Sequence, residues 1–247
     1  MCRLALFNKP GIDHIENTIG LKTLFNHLEL SLGGHGNGYC IVFNNRTTRI
    51  KKGIQLTNKE ITADILNNYK NIKWIIYHTR LASTGAISDE NCHPFKDHKN
   101  ILAMNGTEYE VKKIIKDDTT DTETILRMCN IAKIDIEQGT KKFNSVFLGY
   151  NSNSKQVFAN RNNGNLEYLQ DNDSIIFASE FLPDQYITNN IYLAPKTWTE
   201  GEKINIKNLK PIIKKKISKQ KQKYNDYDYL LEKSDYYMPA KYRLLTN

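Results

Sequence analysis

The sequence predicts an α+β protein in which antiparallel sheets are covered on the outside by helices. Three features of the 247 residues point there. Short apolar runs rich in strand formers are interspersed with stretches of helical periodicity. Several of the runs follow one another across short turns, as antiparallel neighbours do, and not across the long crossovers of a doubly wound sheet. The composition, 39% hydrophobic and 25% charged, is that of a chain able to bury a core.

Cys2–Phe7 and Tyr39–Phe43 read as strands bounded by Asn, Gly and Pro. Between them Leu21, Leu24, Phe25 and Leu28 recur at i, i+3, i+4 and i+7, the spacing of one buried helical face. Thr57–Tyr69 reads as a helix with Thr57 as N-cap and Glu60 completing a capping box. Trp74–His78 and Ile101–Met104 are predicted strands. Glu108–Lys116 and Asp121–Lys133 are predicted helices, the second opening on residues suited to a cap. Phe143–Tyr150, Gln156–Asn160 and Ser174–Ser179 are predicted strands separated by turn-rich segments.

No run of eighteen apolar residues occurs, which excludes a membrane-spanning helix, and the N-terminus MCRLALFNKP lacks the apolar stretch of a secretory signal. The four cysteines are widely spaced with no CxxC pair, so a reducing, cytoplasmic setting is expected. A net charge of +8 suggests a polyanionic partner until the charge is located. Residues 202–247 hold twelve Lys/Arg and five Asp/Glu, and the remaining residues hold 23 and 22. A near-neutral body therefore carries a basic tail, which from Lys214 onward also contains six of the fourteen tyrosines. Such a tail is either a solvated basic arm or helix, or a surface that meets nucleic acid through phosphate contacts and stacking. The solvated arm is the favoured of the two.

Cys2 directly follows the initiator methionine. Removal of Met1 leaves a thiol and a free α-amino group on one residue, with ordinary pKa values of about 8.5 and about 8, so the amine can take the proton as the thiol attacks. Three internal segments fit that chemistry. In HTRLASTG (His78–Gly85), Arg80 leaves the end of an apolar strand, where a guanidinium can clamp a carboxylate bidentately. Asn105-Gly106 offers a side-chain amide and an unobstructed backbone N–H, the parts of an oxyanion hole. In Thr120-Asp121-Thr122-Glu123 a carboxylate at a helix start can receive an ammonium group. Each has a plainer alternative: a surface ion pair for Arg80, a hairpin turn for Asn105-Gly106, an N-cap for Asp121. Their order along one chain is the specific signal.

That ordered set resembles the class II glutamine amidotransferase domain, an N-terminal-nucleophile hydrolase. The resemblance covers about residues 2 to 205 and is carried by MCRL, GHGNGYC (Gly34–Cys40), HTRLASTG, NCHPF, MNGT (Met104–Thr107), TDTE (Thr120–Glu123) and Ala178-Ser179-Glu180. It is closest to small stand-alone members, since larger synthases usually have Gly where this chain has Arg3. Other departures are Ser83 where the family commonly has Thr, Met104 where it has His, and a missing Asn after the Asn-Gly motif. The resemblance implies a four-layer αββα sandwich of two mainly antiparallel sheets flanked by helices. It makes residues 1–205 the glutaminase-type domain, with Met1 removed, and 206–247 a C-terminal extension. It implies Cys2 as nucleophile with its own amine as base, Asn105 and Gly106 as the oxyanion hole, Arg80 and Ser83 on the glutamine carboxylate end and Asp121 on its ammonium. No cofactor or metal is implied.

His78, Cys92, His93 and His98 are the rival metal reading, but their spacing matches no common zinc pattern. The expected activity is hydrolysis of the L-glutamine side-chain amide through a thioester on Cys2. The ammonia would pass to a separate synthase subunit, since 247 residues leave no room for an ATP-pyrophosphatase, phosphoribosyltransferase or sugar-isomerase domain. A stand-alone γ-glutamyl amide hydrolase and a non-catalytic protein binding nucleic acid through its tail are the alternatives.

Overall fold

The computed structural model describes residues 2–115, 118–171 and 173–181, together with the backbone of three short strands beyond them. In chain order the elements are β1 (Arg3–Asn8), α1 (Lys9–Thr18), α2 (Leu21–Leu32), β2 (Asn37–Phe43), β3 (Thr48–Gly53), α3 (Asn58–Asn68), β4 (Ile72–Thr79), β5 (Phe95–Asp97), β6 (Asn100–Asn105), α4 (Tyr109–Ile114), α5 (Asp121–Ile131), α6 (Ile136–Thr140), β7 (Val146–Asn151), β8 (Gln156–Arg161), β9 (Glu167–Asp171) and β10 (Ser174–Ala178). The short strands are β11 (Ile191–Tyr192), β12 (Lys196–Thr197) and β13 (Lys215–Lys216). The basic tail of the sequence reading lies otherwise outside the described residues. No helix among the described residues is long and apolar enough to cross a membrane.

Two main antiparallel sheets result, beside a two-stranded pairing of β11 with β13. One runs β12-β9-β10-β1-β4-β2-β3 and the other β5-β6-β7-β8. The alternation of side chains along each strand divides the apolar residues among three cores. On the outer face of the larger sheet, Ala5, Phe7, Tyr39, Ile41, Ile75 and Tyr77 pack against Ile12, Leu24, Phe25, Leu28, Ile61 and Ile65 of α1, α2 and α3. The opposite-facing residues Leu4, Leu6, Cys40, Val42, Trp74 and Ile76 meet Ile101, Ala103, Val146, Leu148 and Val157 of the second sheet. The second sheet's outer residues Leu102, Met104, Phe147 and Phe158 are covered by Val111, Ile125, Leu126 and Ile136 of α4, α5 and α6. Helix, sheet, sheet, helix: the architecture is the αββα sandwich.

The Leu21–Leu28 stripe is the buried face of α2, and the capping box of α3 forms as its spacing demands. Helix α1 is absent from the sequence expectation because Lys-Pro-Gly reads as a break. Pro10 instead occupies the first turn, where its missing N–H costs nothing, and Asn8 Oδ1 accepts the Gly11 N–H. Gly11 is there for space, since a Cβ would stand 2.9 Å from the Ile175 carbonyl. Strands β3, β5 and β9 and the one-turn α6 also lie outside the expectation. β3 (TRIKKG) is a polar edge strand whose pattern carries little apolar signal.

Register brings the chemistry-bearing ends together. β1 pairs with β4 through Arg3↔Thr79 and with β10 through Ala5↔Ala178, so Cys2, Arg80 and Ser179 leave the sheet at one edge. His78 Nε2 donates to the Met104 carbonyl at 3.0 Å and ties the end of β6 to that same edge.

Leu148→Ala, at the centre of the inter-sheet core, is expected to lower unfolding free energy by about 2–5 kcal/mol. Thr57→Ala, which removes only the α3 cap, is expected to cost about 1 kcal/mol. Urea unfolding followed by circular dichroism reads both.

Candidate active site

Cys2 sits at the lip of β1, its side chain almost wholly buried. Its Sγ lies 3.4 Å from the Leu81 backbone N–H, which donates to it, and 3.5 Å from the Leu81 carbonyl. Burial pushes the thiol pKa up, against the Leu81 N–H and the Arg80 charge, which favour the thiolate. The resting thiol is therefore protonated near neutral pH and needs a base to react.

Arg80 is 2% exposed, the largest of the fully buried side chains. Its backbone is pinned to the Gly34–Cys40 segment: the Arg80 N–H donates to the Gly36 carbonyl and the His35 N–H to the Arg80 carbonyl. The guanidinium is held in the loop that follows, with Nη1 donating to Ala86 O at 2.7 Å and Nη2 to Thr84 O at 2.6 Å. Burial lowers its pKa, and Cys2 and Asp121 are among the groups that raise it. Asp121 also acts on the Cys2 thiol, so these three side chains share one low-dielectric region.

Asp121 opens α5 and is nearly saturated. Oδ1 accepts the Thr122 N–H at 2.9 Å and the Thr84 hydroxyl at 3.1 Å, and Oδ2 accepts the Glu108 N–H at 2.9 Å. A carboxylate has about four acceptor positions, which leaves about one for a ligand. Thr120, not Asp121, is the cap of α5, its hydroxyl accepting the Glu123 N–H. Ser83 is exposed, its hydroxyl 2.7 Å from that of Thr107.

Asn105 ends β6 and is buried. Its Nδ2 lies 3.5 Å from Ser179 Oγ, while Oδ1 is buried without a hydrogen-bond partner. Gly106 follows at φ +149, and a Cβ there would stand 2.2 Å from Ser145 Oγ. Ser145 donates to the Glu108 carboxylate, whose backbone N–H reaches Asp121. The 105–108 turn, the 80–86 loop and the start of α5 are thus one hydrogen-bonded unit. Asn105-Gly106 is not a hairpin turn.

Several residues here carried no role in the sequence reading. His35 Nδ1 accepts the Ala82 N–H at 2.9 Å and shapes the loop after Arg80. Arg3 donates to Cys2 O at 3.3 Å, to Ser31 Oγ at 3.0 Å and to Glu180 Oε2 at 3.0 Å, while His27 Nε2 lies 3.3 Å from Glu180 Oε1. Although burial opposes it, hydrogen bonds from His27 and Ser31 and the Arg3 charge lower the Glu180 carboxyl to about 2. Only contact across 177 residues joins Arg3 to Glu180, so no local pattern could announce the pair.

Of the histidines of the rival metal reading, the fold keeps His98 apart from the other two. His78 and His93 are buried and stacked, ring centroids 4.0 Å apart, whereas the His98 side chain is 83% exposed beside Asp97. Burial pushes His78 down to about 3 and His93 well below its ordinary value, so both are neutral. Among the described residues no three His, Cys, Asp or Glu side chains gather as a ligand set.

Neither a family model nor a curated protein sequence matches the chain. Solved structures do. The glutamine phosphoribosylpyrophosphate amidotransferase of B. subtilis, complexed with ADP and GMP, superposes with a TM-score of 0.51 at 17% identity, over 73% of this chain and 42% of the other. A glutamine aminotransferase class-II domain protein from Silicibacter pomeroyi aligns over 80% of this chain and all of its own, at 12% identity and a TM-score of 0.43. The chain thus spans less than half the length of the amidotransferase. The likeness is one of fold, shared with part of the amidotransferase.

Gly106→Ala is expected to destabilise by about 1–3 kcal/mol through its left-handed φ and the Ser145 clash. Adding Ser145→Gly recovers the steric part, read by the two melting temperatures. Because the folded Glu180 pKa lies below the unfolded value, its stabilisation is present above about pH 4.5 and is lost as pH falls towards about 2. Glu180→Gln is therefore expected to lower Tm at pH 7 and to leave it unchanged near pH 2. Equal losses at both pH values would contradict the ion-pair account.

Proposed function

We propose that this chain is a glutaminase of the class II amidotransferase type, hydrolysing the side-chain amide of L-glutamine and delivering ammonia to a synthase carried on a separate protein. The observation that carries this reading is the convergence of the Cys2 thiol, the buried Arg80 and Asp121 on one edge of an αββα sandwich whose fold is that of an amidotransferase domain.

In the proposed reaction, Met1 is removed and the α-amine of Cys2 takes the thiol proton as Sγ adds to the γ-carbonyl carbon. The carbonyl π electrons move to oxygen, where Asn105 Nδ2 and the Gly106 N–H donate to the oxyanion. The amine then passes its proton to the departing nitrogen. The C–N bond breaks, ammonia leaves and a γ-glutamyl thioester remains. Water, deprotonated by the same amine, adds to the thioester, and the collapse returns the proton to sulfur and frees glutamate.

Binding follows from charge. The Arg80 guanidinium uses two of its five N–H groups most closely on Ala86 and Thr84, which leaves donors for the glutamine α-carboxylate, and the exposed Ser83 hydroxyl of the same loop supplies a further one. The remaining acceptor position of Asp121 suits the α-ammonium. Arg80 and Asp121 together read the zwitterion, so an amide without both charges is a poor substrate. The buried, neutral surroundings keep these interactions strong.

Purified protein with Cys2 at its N-terminus, checked by mass spectrometry, is expected to release glutamate and ammonia from L-glutamine. Cys2→Ala abolishes this. Asn105→Ala lowers kcat by about 10²–10³ with KM little changed, because the oxyanion exists only in the transition state. Arg80→Lys acts mainly on KM by loss of the bidentate fork. Activity rises with pH as the amine loses its proton, with a midpoint at or below about pH 8. A correctly processed protein that releases no glutamate refutes the proposal.

A further inference from the structure

Ser179 was part of a motif in the sequence without a task of its own, and the hydrogen-bond balance around it supplies one. Its side chain and that of Asn105 are buried, 0% and 3% exposed. The Leu4 N–H donates to Ser179 Oγ at 3.0 Å, and the Ser179 N–H donates to the Leu4 carbonyl at 2.9 Å, so the serine is clamped to β1 just beyond Cys2. Asn105 Nδ2 lies 3.5 Å from the same hydroxyl oxygen. In that arrangement the oxygen takes two donors, the hydroxyl proton has no acceptor among the described residues, and Asn105 Oδ1 is buried unpaired. A buried acceptor left without a donor has lost its water and gained nothing in return, which is unfavourable.

The two ends of a carboxamide fill the same volume, so a half-turn of the Asn105 amide exchanges them without displacing a neighbour. The Ser179 hydroxyl then donates to Oδ1 while still accepting from Leu4. The unpaired position passes to Nδ2, a donor held ready for an oxygen that appears only during reaction. Accepting from Nδ2 on its second lone pair would leave both the serine proton and Asn105 Oδ1 unpaired, so the proton is what the serine offers to Asn105.

We propose that Ser179 is a positioning residue that sets the orientation of the Asn105 amide, so that Nδ2 and not Oδ1 faces the developing oxyanion. This rests on the glutaminase reading for its kinetic consequence, though not for the orientation itself.

The test is a double-mutant cycle on the processed full-length chain. Ser179→Ala is expected to lower kcat for glutamine about 10- to 100-fold with KM within about twofold, since an amide free to turn presents its oxygen part of the time. In an Asn105→Ala background the same change is expected to cost less than about twofold, because no amide remains to orient. A merely structural serine would impose the same factor in both backgrounds, and that result overturns the proposal, as does an unchanged kcat in the single variant. The orientation is read independently by NMR on the wild-type chain. Asn105 side-chain amide protons showing no nuclear Overhauser contact to the Ser179 β protons or the Leu4 amide support it, and strong contacts to both overturn it. If glutamine is not hydrolysed at all, the glutaminase reading fails while the NMR result still decides the orientation.

Discussion

A single six-residue strand has apolar cores on both faces and hydrogen-bonded neighbours on both edges, and the positions of Cys2, Arg80 and Ser179 descend from it. β1 alternates Leu4 and Leu6 into the inter-sheet core with Ala5 and Phe7 into the helix-facing core. Each inward residue is almost completely buried. A slip of one position would exchange the two sets and put β4 and β10 out of register with it. The price of such a slip is high, so the residue just before the strand is located with the precision of the core. That residue is Cys2. What a loop would leave loose, the start of a central strand holds fixed.

The electrostatic setting follows from the same burial. A thiol withdrawn from water rests protonated, and a guanidinium withdrawn from water is destabilised unless charge or dipoles surround it. Here carbonyls of the 84–86 loop hold Arg80 from one side, and Asp121 and Cys2 act on it from another. His78 and His93 bring no compensating or competing charge, since burial keeps both neutral. Their contribution is geometric: the His78 N–H on the Met104 carbonyl holds the second sheet's edge against the first, one residue from Asn105. Beside this region Arg3 and Glu180 form a partly buried ion pair, and Arg3 also donates to the Cys2 carbonyl.

Three segments far apart in sequence meet through short polar links. Thr84 and Asp121, Asp121 and Glu108, Glu108 and Ser145 form one chain of hydrogen bonds, and Gly106 lies against its last member. In such a network displacement of one segment is felt by the others, which favours preorganisation over induced closure. One end of the Asn105 amide is left open beside other buried polar atoms without a partner, His78 Nδ1, Thr79 Oγ1 and Thr122 Oγ1. A folded chain retains such a defect where a ligand or a reacting group completes it.

Local pattern was sufficient for much of this. The i, i+4 stripe of α2, the Thr57–Glu60 capping box and the apolar runs of β1, β2, β4, β6, β7 and β10 were legible because each depends on neighbours a few residues away. The candidate site was legible as a set of motifs for a related reason: a strand end, an Asn-Gly step and a helix start are each local. Helix α1 escaped because Pro10 and Gly11 signal a break except in the first turn, and polar β3 escaped because an edge strand needs little apolar periodicity. What can be read along the chain is most of the elements, the near-neutral body with its basic tail and the residue types available for chemistry. Only the tertiary structure decided which of them meet: that Asp121 is largely saturated by backbone donors, that Arg3 pairs with Glu180, and that Ser179 stands between Leu4 and Asn105. The physical reason is that hydrogen-bond saturation is a property of neighbours in space, and pairs separated by up to 177 residues leave no periodicity along the chain.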